Sequence, residues 1–450
     1  MDFEDSGFSD FEMDVEEVEV KKVGKFDRIW KITYGGSVCT QIAVSEGIAF
    51  FGSMNNYVYA IDCETGKEIW RFRTNGGMLD SSPMVSGNRI FIGSFDGHMY
   101  AIEKYSGKLL WKFKTGNGID ASAAFFGGIV YFGSRDGYFY AVSSETGELI
   151  WKFKSGDEIL SSPSVHDDRI YFGSYDGFLY CLSLEGRELW RFRTGGEVLN
   201  SAPILCRNGF VYFGSFDNNL YCVDSETGKE AWRFRTGNYG NATCPTYHEG
   251  VVYYGSRDGI FYALDARTGT EIWRYRAEGK GVIDKLPLIH NYAVYFGSED
   301  GNLYALDSRS GKELWRFRTG GLVGTSAVLW KDSLLFGSWD CHVYRVDTKS
   351  HQELWRFATG GNPSHLPPAY ESYKMEIKKS GFIEDSISEE KYKEKETTVS
   401  LSDYQIGSEY SVKSEYSSKN KYQGVEIIEV DEDSTIEFDL PQRVEFRKMF

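Results

Sequence analysis

From about residue 40 to residue 360 the apolar positions fall in runs of four to six residues separated by polar turns. The segments 170–174, 177–182 and 189–194 show the pattern, each rich in Tyr, Phe, Leu or Ile. Such runs read as strands, and no stretch with helical spacing lies between them. One unit carries four of them, placed at 81–85, 90–94, 98–103 and 109–115. Asp-Gly separates the second and third runs at Asp96-Gly97, Asp136-Gly137, Asp176-Gly177, Asp258-Gly259 and Asp300-Gly301, which predicts a two-residue hairpin with positive φ.

The unit repeats. Trp30, Trp70, Trp111, Trp151, Trp190, Trp232, Trp273, Trp315 and Trp355 are spaced 39 to 42 residues apart, so nine tryptophans bound eight units. One Gly-Ser pair falls in each interval, beginning at Gly52, Gly93, Gly133, Gly173, Gly214, Gly255, Gly297 and Gly337. Repeats of this length built from four strands predict an all-β fold, an eight-bladed β-propeller of four-stranded antiparallel blades.

A small residue, a glycine and a tryptophan recur in fixed register: Ala60, Gly66, Trp70; Ala101, Gly107, Trp111; Ala141, Gly147, Trp151; Ala263, Gly269, Trp273; Ala305, Gly311, Trp315. The small residue leaves room for an indole, and the glycine permits a tight turn. Cys181 and Cys222 replace the alanine in two units. The register resembles the tryptophan-docking motif of pyrroloquinoline-quinone (PQQ)-type repeat propellers. The last unit departs from it, with Arg345, His351 and Cys341 at the small, glycine and turn positions, which reads as an end effect.

Charge divides the chain further. Residues 1–22 hold nine acids and two bases, and residues 371–450 hold nineteen acids and twelve bases, so most of the net charge of −16 lies in the tails. The expected organisation is an acidic disordered tail (1–26), the propeller (27–361), a disordered linker (362–423) and a C-terminal tail (424–450) with a possible hairpin at 425–440. A nearly neutral body argues against nucleic-acid binding, which needs clustered Lys and Arg facing phosphate. No apolar run of 18 residues and no secretory leader pattern occurs, so a cytoplasmic monomer with no membrane association is expected. The seven cysteines show no Cys-x-x-Cys spacing and read as packing residues.

The D strands from Trp70 to Trp315 read Trp-Arg-Phe-Arg or Trp-Lys-Phe-Lys, with Tyr275 for Phe in one, giving Arg71 and Arg73 through Arg316 and Arg318. This basic girdle fits charge protection of outer edges, with an anionic partner, the chain's own tails included, as the alternative. Asp27 to Tyr34, with Trp30, and the strand at Trp355 both suit the outer edge of the closing blade, and the sequence does not choose between them.

Variation within a constant repeat marks a candidate site. Four strands alternating outward, A to D, put the D–A and B–C loops on one face. The position after Gly-Ser there is Met54, Phe95, Arg135, Tyr175, Phe216, Arg257, Glu299 and Trp339, while Asp80, Asp120, Asn200 and Asp284, with Lys285, line the channel mouth. Sites are grafted onto loops of rigid scaffolds, so binding is expected here.

The resemblance implies two contrasting functions. PQQ-dependent dehydrogenases bind their quinone over the channel with calcium, an ion that wants six to eight converging oxygens. Asp80 and Asp120 lie on adjacent blades but Asp284 lies across the ring, and the vicinal cysteine pair and long insertions of those enzymes are absent. The propeller lipoprotein that helps assemble bacterial outer-membrane proteins implies a docking platform instead, although its lipidated cysteine is missing here. The expectation is a non-catalytic protein-interaction scaffold without cofactor or metal, binding one or more protein partners. Small-ligand or saccharide binding at the channel mouth is the alternative, and a quinoprotein enzyme the remoter one.

Overall fold

The computed structural model describes residues 36–360, apart from 199–203, 206–208, 238–239, 242, 244 and 279–285. It also describes a two-residue parallel pairing, Ile377–Lys378 with Phe446–Arg447, in a separate unit formed by the tails. The expected tail organisation, the hairpin at 425–440 and Trp30 lie outside the described residues.

Eight four-stranded antiparallel sheets follow one another as blades at 43–73, 84–114, 124–154, 164–193, 204–235, 246–276, 288–318 and 328–358, with strand order equal to chain order in each. In blade 2 strand A is Met84–Ser86, B is Arg89–Gly93, C is His98–Glu103 and D is Leu109–Lys114. Strands B and C are almost wholly buried, whereas D alternates exposed and covered positions at the outer edge. Each C–D ladder carries a bulge. Ala101 faces Trp111 but Ile102 faces Leu109, so Leu110 is extruded and exposed.

The B–C turn differs from expectation. Four residues, Ser94 to Gly97, separate the strands, and only the glycine has positive φ (Gly97 +75°). The aspartate explains why. Asp96 Oδ1 accepts the His98 N–H (2.9 Å), while Oδ2 accepts the Tyr100 hydroxyl (2.6 Å) and the Asn75 N–H (2.9 Å) of the preceding D–A linker. A two-residue turn would leave no room for a carboxylate bridging its own strand and its neighbour.

The tryptophan motif works between blades. Trp111 faces Ala101 in its own sheet, yet its indole N–H donates to Ser144 O (3.0 Å) and its ring lies on Gly147 of the next blade. A Cβ on Gly147 would come within 2.6 Å of that ring, and its φ is +73°, so both space and backbone require glycine. Aromatic and aliphatic residues of blades 2 and 3, among them Phe91, Met99, Phe132 and Tyr140, fill the wedge beside it.

The ring closes by the same device. Trp355 lies on strand D of blade 8, donates to Cys63 O (3.1 Å) and packs on Gly66 of blade 1. Every strand of blade 8 therefore comes from one continuous stretch, and the Trp355 strand is its fourth. Residues 36–42 occupy the place of a D–A linker between blades 8 and 1: Val38 N–H donates to Ser338 O (3.2 Å), and Ser53 Oγ donates to Ser37 O (3.2 Å).

One departure of the last unit, Arg345, belongs to this seam. In blades 4, 5 and 6 a strand-B tyrosine faces the small residue and donates across to the next blade, as Tyr253 does to Ser308 O (3.1 Å) opposite Ala263. In blade 8 the pair is Leu335 opposite Arg345, and the arginine supplies the donors: Nη1 to Cys63 O (3.1 Å) and Glu64 O (3.0 Å), with Nε to Ser333 Oγ (2.8 Å). His351 stacks on Trp315, 4.6 Å between centroids, where other blades have glycine. The end-effect reading is refined accordingly: Arg345 builds the contact between the first and last blades, whereas His351 serves the junction of blades 7 and 8.

Candidate functional site

The D–A linkers and B–C turns do share one face, and a repeated set of bonds fixes each turn there. The glycine of Gly-Ser abuts the linker that follows. On Gly133 a Cβ would come within 2.2 Å of Ile159 Cγ2, and on Gly93 within 2.3 Å of Ile119 Cγ2. The serine hydroxyl reaches the linker that precedes, as Ser94 to Gly76 O (3.0 Å) and Ser174 to Glu158 O (3.0 Å). The next residue is then anchored by its backbone N–H, a bond that does not depend on which side chain it carries. Phe95, Arg135, Tyr175, Phe216 and Trp339 donate their N–H groups to Gly77, Gly118, Glu158, Glu197 and Leu322 carbonyls at 2.9 to 3.1 Å. Met54 N–H donates likewise to Ser37 O.

These side chains divide by depth. Arg135 and Arg257 are buried, 6% and 4% exposed. Arg135 Nε meets Asp120 Oδ2 at 2.6 Å, and its guanidinium lies 5.6 Å from the Phe95 ring, while that of Arg257 lies 5.3 Å from Phe216. An arginine of one blade thus underpins the aromatic of the blade before it, twice around the ring. Phe95, Tyr175, Phe216, Glu299 and Trp339 are half-buried and form the surface itself. The Trp339 indole lies across Gly324, where a Cβ would come within 2.4 Å of Nε1. Asp80 is half-buried, and its carbonyl accepts Ser122 Oγ (3.1 Å). Asn200, Asp284 and Lys285 lie outside the described residues.

A serine ladder at the inner ends of the blades escaped the sequence reading. Gln41, Ser82 and Ser122 donate their N–H groups to the hydroxyls of Ser82, Ser122 and Ser162, each at 2.9 Å. The forty-residue spacing of these serines was the available signal.

The chemistry within reach is limited. Burial raises the thiol pKa of Cys63 and Cys181 to about 12 and that of Cys341 to about 11, so none supplies a thiolate at neutral pH. Among the described residues no three Asp, Glu, His or Cys side chains gather where they could hold a metal ion. With Asp120 enclosed against Arg135, the described residues do not fit a quinone and calcium centre. No described helix is long and apolar enough to cross a membrane.

Comparisons place this arrangement. Residues 18–236 match the model of the β-propeller of the beta-alanine-activating enzyme, and residues 180–320 and 216–365 match that of the outer membrane protein assembly factor BamB. Among solved structures, BamB from Moraxella catarrhalis is 17% identical, with a TM-score of 0.57, covering 69% of this chain and 93% of that one. A europium-containing methanol dehydrogenase is 13% identical, with a TM-score of 0.59, covering 70% and 83%. The computationally designed Ika8 protein is 19% identical, with a TM-score of 0.61, covering 69% and 96%. No curated protein matches by sequence. With its docking tryptophans and eight four-stranded blades, the chain is a PQQ-type repeat β-propeller.

Proposed function

We propose that this propeller is a non-catalytic scaffold that binds protein partners on its D–A and B–C face, acting in the cytoplasm as a monomer and without a cofactor. One observation carries the reading: six described turns hold the residue after Gly-Ser by the same backbone bond while its side chain changes from Met54 through Phe95, Arg135, Tyr175 and Phe216 to Trp339. A constant framework presenting different side chains, four of them aromatic, is the composition of a binding surface. The half-buried rings offer large contact area at low cost in side-chain entropy.

The solved neighbours include both an assembly factor and dehydrogenases, and folds do not fix function. The scaffold reading is preferred because Asp120, the described carboxylate deepest at the mouth, is already neutralised by Arg135.

The test is affinity capture from the native cell with the full chain and with a triple variant, Phe95→Ala, Tyr175→Ala and Trp339→Ala. Partners held by the native face should be lost from the variant while its thermal stability is retained. Undiminished capture would place the interaction elsewhere. Addition of PQQ and calcium tests the enzyme alternative, and a stoichiometric quinone spectrum with dye-linked oxidation of an alcohol or sugar would overturn the proposal.

A further inference from the structure

Among the described residues every blade ends in an outer edge strand with no further strand paired to its far side. Such edges invite addition of another strand unless charge guards them. In six blades the guard is a glutamate at the first position of strand D and an arginine three residues on. The pairs are Glu68 with Arg71, Glu188 with Arg191, Glu230 with Arg233, Glu271 with Arg274, Glu313 with Arg316 and Glu353 with Arg356, all between 2.6 and 3.6 Å. Most of these arginines also cover a strand-C aromatic ring, as Arg71 covers Tyr57 at 5.4 Å.

Blades 2 and 3, which are neighbours, lack this guard. Leu109 and Leu149 stand where the glutamates stand elsewhere, 42% and 46% exposed, beside the extruded Leu110 and Ile150 at 45% and 50%. The arginines become Lys112 and Lys114 in one blade and Lys152 and Lys154 in the other. Lys114 and Lys154 bond to the carbonyls of Asp96 and Asp136, not to a carboxylate. Each strand D thus exchanges its acid for a second exposed apolar side chain beside the extruded one, which guarded blades also carry (Ile69 at 45%, Leu314 at 54%). Over the strand itself the net charge is about +2 where most guarded strands have about +1, with Glu148 directly preceding the strand in blade 3.

We propose that the outer edges of blades 2 and 3 take an extended segment of a protein partner in which acidic and apolar residues alternate, added as a fifth strand. Backbone groups of strand D supply the ladder, Leu109, Leu110, Leu149 and Ile150 the apolar contact, and the four lysines the attraction for the acids. Alternation is required because a strand shows successive side chains to opposite faces. This surface is separate from the loop face.

Fluorescence polarisation on the full chain tests the inference, with a fluorescein-labelled ten-residue peptide alternating glutamate and valine as the probe and its lysine and valine counterpart as the control. The acidic peptide should bind saturably and more weakly with rising salt, and the basic one should not. The double variant Leu109→Glu and Leu149→Glu restores the residue that six blades already carry. It should keep the native melting temperature and weaken binding by about tenfold or more. The loop-face triple variant should bind the peptide as the native chain does, which separates failure of this inference from failure of the scaffold reading. Equal affinity for both peptides, unchanged binding by the double glutamate variant, or no binding at all would overturn the proposal.

Discussion

Replacing Arg345 by alanine restores the residue that most other units place opposite the docking tryptophan, so a repeat-based reading expects a neutral or stabilising change. The structure expects a loss. Arg345 is 7% exposed, donates to two carbonyls of blade 1 and to Ser333 Oγ, and lies 4.5 Å from the Trp330 ring. A hydrogen bond from a charged donor contributes about 1.5–3 kcal/mol, but releasing the guanidinium to water returns part of that, and Cys63 O keeps the Trp355 indole. About 2–4 kcal/mol should therefore be lost. The companion change is Leu335→Tyr, which by itself crowds a fully buried site and should cost about 1–3 kcal/mol. Together the two rebuild the tyrosine and alanine pair of blade 6, whose hydroxyl reaches the neighbouring carbonyl, so the double variant should be more stable than the sum of the singles by about 1–3 kcal/mol. Thermal and urea denaturation followed by tryptophan fluorescence measures all four corners of the cycle. A single-variant loss below about 0.5 kcal/mol, or strictly additive effects, would refute the seam assignment.

Two glycines with positive φ separate backbone strain from steric demand. Gly127→Ala, at φ +57° with open space around it, should cost about 1 kcal/mol, whereas Gly147→Val meets the Trp111 ring and should cost about 2–5 kcal/mol; equal losses would mean that the indole does not press on that turn. Trp111→Ala should destabilise by about 3–5 kcal/mol on denaturation, and a loss under about 1 kcal/mol would show the docking contact to be dispensable. Acid should unfold the ring from the C–D turns. Hydrogen bonds from the Thr or Ser three residues on hold Asp62, Asp224, Asp265, Asp307 and Asp347 below the ordinary carboxyl range. Their contribution is complete above the unfolded-state value of about 4 and is lost as pH falls through their lower folded-state values. Asp300, raised by burial, works in the opposite sense, its contribution being present in acid and lost as pH rises, so Asp300→Asn should steepen the acid limb of the stability profile. A melting temperature constant down to pH ~3 would contradict this. In the native protein Cys63, Cys181 and Cys341 should resist iodoacetamide at pH ~8, and labelling at the rate of free cysteine would show that those sites open.

Much of the candidate face could be read before any coordinates. The variable position after Gly-Ser was visible because everything around it repeats, and the structure puts those positions on the expected face. Depth was not visible: Arg135 and Phe95 occupy the same repeat position, yet one is enclosed against Asp120 and the other half-exposed, because each arginine points beneath the aromatic of the preceding blade. The relaxed edge of blades 2 and 3 was likewise present as Leu109 and Leu149 in the chain, but it acquires meaning only when six glutamates are seen paired with arginines in space.

By itself the sequence determined the number of blades, the four strands in each and the unit that docks, since a forty-residue period and a period of two leave little else for these residues to form. It could not settle how the ends meet, because closure is a contact between residues some 280 to 300 positions apart. Tertiary structure decided that Trp355 completes its own blade and presses on Gly66, that residues 36–42 serve as the missing linker, and that Arg345 is a clasp and not a decayed repeat. Local pattern fixes what each segment becomes; only the geometry of the closed ring fixes which carbonyl a distant guanidinium can reach.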